Sequence, residues 1–153
     1  MSTVTDSSTT MREPALLGQT VVVIGGSSGI GLETARRARA EGADVVLTGL
    51  DPERLRRAAT DVGARSHAAF DATDSDRLDA FFRSLPTPVD HIMVTAGRPY
   101  YARLADMDIA DASRYVAEHV RLPLEVARHA VGTVRRGIKF LCGGMRSSWL
   151  TMA

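Results

Sequence analysis

At 153 residues the chain makes one domain of ordinary size, with nothing left over for a second. A hydrophobic share of 44%, a charged share of 24% and a mean hydropathy of -0.05 exclude wholesale disorder, collagen-like repeats and membrane spans. The formal net charge is only +1, so no global field draws nucleic acid or an anionic membrane, and partners must be recognised locally. All basic residues but Lys139 are arginines, most on stretches that read as helix, where they are solvated faces. The lone Cys142 has no disulfide or metal-site partner, which implies core packing in a reducing, cytoplasmic setting.

In chain order, residues 1–17 read as a disordered polar lead, without the apolar run or basic start of a secretory signal. Residues 20–24 (TVVVI) are a continuous β-branched run, the mark of a parallel strand buried on both faces. A helix is predicted over 30–41, with Ile30, Thr34, Ala35 and Ala38 on its inner face, stopped by Gly42. The alternation continues: strand 44–48, helix 52–62 with proline in its first turn, strand 64–70, helix 75–84 capped near Asp74, strand 90–95. A long helix follows over 108–136, its inward stripe read as Ile109, Ala112, Val116, Val120, Leu124, Ala127, Val131 and Val134, with a kink from Pro123 near His119. A fifth strand is expected over 138–142. Such a βαβ series has one economical solution, a doubly wound α/β fold with a parallel sheet, right-handed crossovers and helices on both faces. Its bounds are 18–144, with 145–153 an atypical tail.

The strongest feature is Gly25-Gly26-Ser27-Ser28-Gly29-Ile30-Gly31, set between the first strand and the first helix. Glycines there allow a tight turn, close approach of backbone to a pyrophosphate and close packing of helix on sheet, while the helix N-terminus offers N–H groups to phosphate. No Lys-Ser or Lys-Thr follows, which excludes a triphosphatase phosphate loop. The run resembles the Thr-Gly-x-x-x-Gly-x-Gly motif of the short-chain dehydrogenase/reductase family, with Ile24 in place of the threonine. Two further stations are similar: Asp71-Ala72-Thr73-Asp74 to the family's adenine-contacting acidic turn, and Thr95-Ala96-Gly97 to its Asn-Ala-Gly. The resemblance covers residues 17–144 and implies a Rossmann-like, three-layered fold, incomplete at its C-terminal edge. It also implies a dinucleotide site made of Gly25, Ser27, Ser28, Gly29, Ile30, Gly31, Asp71, Ala72, Ala96 and Gly97, with Asp71 accepting from the adenine amino group.

Cofactor choice is written at the end of the second strand, where an acid holds a free ribose and an arginine a 2′-phosphate. Gly49 stands at the acid's position and Leu50 at the arginine's, with Arg54 and Arg57 within reach, so NADP is favoured over NAD. By the same resemblance the general acid is a Tyr-x-x-x-Lys, and the sequence holds none; it also holds no Asn, and His119 stands at the Asn of the long helix. No catalytic residue is therefore assigned. Tyr115 and His119, four apart, are read as helix-surface neighbours, and His67, His91 and His129 lack metal-ligand spacing, so no metal is expected. Three functions stand at this point. The first is an NAD(P)-dependent short-chain oxidoreductase acting on a carbonyl or alcohol, truncated and inactive as given, and a possible homo-oligomer. The others are a non-catalytic dinucleotide-binding or regulatory protein and, less favoured, a methyltransferase using S-adenosylmethionine.

Overall fold

The computed structural model describes residues 13–86, 88–97 and 100–135. Strands β1 (Thr20–Ile24), β2 (Asp44–Gly49), β3 (Ser66–Ala69) and β4 (His91–Val94) pair in parallel in the order β3-β2-β1-β4. They alternate with helices α1 (Gly29–Ala40), α2 (Pro52–Val62), α3 (Ser75–Ser84) and α4 (Ile109–Ala130). The two-residue period of β1 divides the core into two halves. Val21 and Val23, with Val45 and Leu47 of β2, meet Ala35 and Ala38 of α1 and Leu55, Ala58 and Val62 of α2. Val22 and Ile24, with Ile92 and Val94 of β4, meet Leu78, Phe81 and Phe82 of α3 and Leu122, Val126 and Ala130 of α4. Three layers, helix on sheet on helix, follow.

Helix starts obey local chemistry. Asp51, Asp74 and Asp108 each accept a hydrogen bond from backbone N–H groups of the first turn of α2, α3 and α4. Gly63 closes α2 in the left-handed conformation, at φ +67°.

Four expectations change. Pro14–Leu17 is tied down rather than loose, since the Leu16 N–H donates to the Glu41 carbonyl at 2.9 Å and the Ala15 N–H to the Glu41 carboxylate at 2.8 Å. Strand β3 is shorter than 64–70. Helix α4 passes through Pro123 and stops at Ala130, not 136, because Gly132 turns the chain at φ +82° and Val134 then bridges Val89 in parallel. The inward stripe of α4 is also largely different: of the expected residues Ala127 is buried and Val134 packs against the core, but Ile109, Val116, Val120, Leu124 and Val131 are all more than half exposed, and Leu122, Val126 and Ala130 are buried instead. The helix carries apolar residues on two faces, and the one that fits between Leu78, Phe82 and β4 is the shorter. The expected strand 138–142 lies outside the described residues.

Exchanging the two stripes is a direct test. Val126→Ala should lower the unfolding free energy by about 2 kcal/mol, whereas Leu124→Ala should change it by less than about 0.5 kcal/mol, both read from urea denaturation of the chain.

Candidate functional site

The carboxyl ends of all four strands open onto one cleft of about 930 Å³. From β1 the chain runs to β2 and β3 on one side, and the crossover from β3 then returns it to β4 on the other side of β1, so the cleft sits at a topological switch point.

Its floor is built from main chain. After Ile24 the chain turns at Gly25 (φ +94°), and the N–H groups of Gly25 and Gly26 donate to the Thr48 carbonyl at 3.2 and 2.9 Å. A Cβ on Gly25 would stand 2.5 Å from the Ala96 nitrogen, and one on Gly31 would stand 2.3 Å from the Gly25 oxygen and 2.4 Å from Thr95 Oγ1. Thr95 Oγ1 itself donates toward the Gly25 carbonyl at 3.1 Å, with the Ile24 carbonyl at 3.3 Å. Gly29 is different: φ is +55° and nothing lies within 4 Å of where its Cβ would be, because that space is the cleft.

The start of α1 is also unlike the other helix starts. Ser28, its N-cap, makes no side-chain cap bond, and no acid lies in the first turn, while α2, α3 and α4 each have both. Its first-turn N–H groups and the positive end of its dipole therefore remain for an anion in the cleft. Ile30 lines the cleft and is 60% exposed, so it is not part of the helix's inner face as expected.

Beyond β2, the cleft is bordered by Thr48, Gly49, Leu50 and Arg54. A Cβ on Gly49 would approach Ser27 Cβ and Oγ to 3.0 Å. Beyond β3, Asp71 shapes its own turn, its Oδ1 accepting from the Thr73 N–H at 2.9 Å and the Thr73 hydroxyl at 2.8 Å. All ten residues picked from the sequence line this one cleft.

The opposite wall was not read from the sequence. Tyr115 and His119, expected on an open surface, are half-buried cleft residues whose rings lie 3.9 Å apart between centroids, with Tyr100 6.0 Å from Tyr115. His119 Nδ1–H donates to the Tyr115 carbonyl at 2.9 Å, and Nε2 would be 2.8 Å from a Cβ on Gly97. The sequence signals were the place of His119 at the Asn of the family's long helix and Gly97, which leaves space for a ring arriving from a helix. Outside the cleft, hydrogen bonds from Arg37 and Arg56 hold the exposed Glu33 and Glu53 carboxyls below their ordinary values. Among the described residues no three His, Cys, Asp or Glu groups assemble for a metal, and no helix is long and apolar enough to cross a membrane.

The fold and the cleft together define a Rossmann-like α/β protein with its cleft at the switch point of the sheet. Comparison with known proteins makes this specific, because the profile of the short chain dehydrogenase family matches residues 19–136. The chain belongs to the short-chain dehydrogenase family. It is 41% identical over 68 residues to serine 3-dehydrogenase of Agrobacterium fabrum, covering 44% of this chain and 27% of that enzyme. Serine 3-dehydrogenase of Rhizobium radiobacter is 30% identical over 126 residues, covering 78% of this chain and 51% of that enzyme. Among solved structures, BdcA in complex with NADPH superposes with a TM-score of 0.70 at 26% identity, covering 83% of this chain and 52% of that one. The matches thus cover between 27% and about half of the length of these relatives.

The contrast between the glycines is measurable. Gly31→Ala must push apart the β1 turn and β4 and should destabilise the chain by about 3 kcal/mol or more. Gly29→Ala meets no atom and should lower stability by only about 1 kcal/mol, the strain of a left-handed alanine. Thermal unfolding of both variants decides.

Proposed function

We propose that the chain is the dinucleotide-holding part of an NADP(H)-dependent oxidoreductase that moves hydride between nicotinamide and a carbonyl or alcohol carbon. The observation that carries this is the convergence of Gly25–Gly31, the Asp71 turn and Ala96–Gly97 on one cleft at the switch point of the sheet. The residues fit the group on a local test: the open space over Gly29 and the uncapped start of α1 lie together where a pyrophosphate needs backbone approach and N–H donors. Family membership supports the reading and sets the methyltransferase aside, and the BdcA neighbour was solved with NADPH.

The chain's own residues divide the work. Ser27, Ser28 and the first-turn N–H groups of α1 hold the pyrophosphate, with Ile30 covering it. Asp71 accepts from the adenine amino group, and Ala96 and Gly97 let the backbone approach the cofactor. Arg54 pairs with a 2′-phosphate beside Gly49, where no carboxylate repels it. When bound, the nicotinamide supplies or accepts the hydride. The proton acid of the family, Tyr-x-x-x-Lys, is absent from this sequence, so these residues bind and orient without protonating an alkoxide.

Calorimetry with NADPH and NADH tests the reading. Wild type should bind NADPH at least as well as NADH. Gly29→Val should abolish both, because its side chain fills cleft space that no protein atom occupies. Arg54→Leu should weaken NADPH by about 10- to 100-fold and leave NADH unchanged. Equal NADPH affinity in Gly29→Val and wild type would overturn the cradle.

A companion assay addresses chemistry. The 153-residue chain with NADPH and a panel of ketones and aldehydes should show no turnover above background. Turnover lost on Tyr115→Phe would instead make the Tyr115 and His119 pair the proton donor.

A further inference from the structure

The Asp71 turn is held from outside the cleft as well as from within. Glu125 of α4, whose side chain is 17% exposed, accepts two hydrogen bonds: from Arg121 Nη1 at 3.0 Å on one oxygen and from the Ser75 hydroxyl at 2.9 Å on the other. The second terminal nitrogen of Arg121 donates to the Thr73 carbonyl at 3.2 Å. Thr73 is the residue whose N–H and hydroxyl both bind Asp71 Oδ1, and the Asp74 N–H closes the turn on the Asp71 carbonyl at 3.0 Å. Asp71, Ala72 and Thr73 line the cleft; Ser75, Arg121 and Glu125 do not.

We infer that Arg121 and Glu125 are positioning residues that hold the Asp71 carboxylate in register for the adenine amino group. This rests on the dinucleotide reading above. The bridge is not needed to dock the two helices, because Leu78 and Phe82 already pack with Leu122 and Val126 in the core. It sits instead at the end of the helix pair where the turn meets the cleft. The geometry requires arginine. One planar fork spans a carboxylate and a carbonyl at once, which the single ammonium of lysine cannot do with the same orientation. An Asp71 free to swing would spend part of its time out of hydrogen-bond reach, and its contribution to binding would fall by that fraction.

The test uses the 153-residue chain carrying Glu125→Gln or Arg121→Lys, with two probes: NADPH and its hypoxanthine analogue, in which a carbonyl replaces the adenine amino group. In the free protein, amide hydrogen exchange at residues 71–76 should quicken in both variants. NADPH affinity should fall about three- to tenfold and affinity for the hypoxanthine analogue should stay unchanged, so that discrimination between the two collapses. Ser75→Ala, which removes one bond and keeps the ion pair, should move both readouts the same way by less, and it serves if a charge variant does not fold. Unchanged exchange at 71–76 overturns the clamp. Equal weakening of both nucleotides overturns the positioning role, since a purely structural bridge would not distinguish them. Faster exchange in a protein whose wild type binds no NADPH overturns the dinucleotide reading and the positioning role with it.

Discussion

Three stretches of main chain meet where β1 ends: the Gly25 turn, the first turn of α1 at Gly31, and the Thr95–Ala96 exit from β4. They lie so close that a single methyl at Gly25 or Gly31 would fall within about 2.5 Å of backbone or hydroxyl atoms, a separation that dense interiors do not absorb without moving whole elements. The Thr95 hydroxyl fastens the β4 exit to the Gly25 turn by donating toward the Gly25 and Ile24 carbonyls. This contact sets the angle at which α1 leaves the sheet. It therefore aims the helix start, with its unused N–H groups, into the crevice between β1 and β4 rather than into solvent.

The remainder of the cleft is arranged around that fixed point. On one side β2 and β3 carry Gly49 and Asp71 to the same edge through parallel pairing in register, Gly49 standing beside Ala69. On the other side α4 crosses β4 and sets His119 against Gly97. The division of labour is clear in the chemistry of the two walls. The β1 to β3 wall is rich in glycine, hydroxyls and backbone and carries Arg54 and Asp71, and the opposite wall carries the rings of Tyr115 and His119 from α4, with Tyr100 against Tyr115.

Much of this was legible in the sequence because the relevant signals are local. A β-branched run between glycines can only be an interior parallel strand, and Asp74 before Ser75 fixed the start of α3 as expected. The ten cleft residues were legible because each lies in the turn directly following a strand or in the first turn of the helix after it, and parallel pairing brings all such turns to one edge. Helix α4 failed for the opposite reason. It has apolar residues on two faces, and periodicity cannot say which face meets the sheet when both are long enough to do so. The inversion that followed hid Tyr115 and His119, which reach the cleft only because Leu122 and Val126, rather than Val120 and Leu124, face the core. The clamp through Glu125 was invisible for a related reason: its partners at Ser75 and Thr73 are distant in sequence and joined only by how two helices cross.

The approach of Gly49 to Ser27 bears on how the family changes cofactor. A carboxylate at the end of β2 is the simple means of favouring a free ribose over a phosphorylated one. Here the first carbon of any such side chain presses on Ser27, a residue of the glycine-rich turn, at 3.0 Å. The effect of a mutation at position 49 thus depends on what stands at position 27. The two positions are coupled in this chain by steric contact, so a side chain added at one is felt at the other.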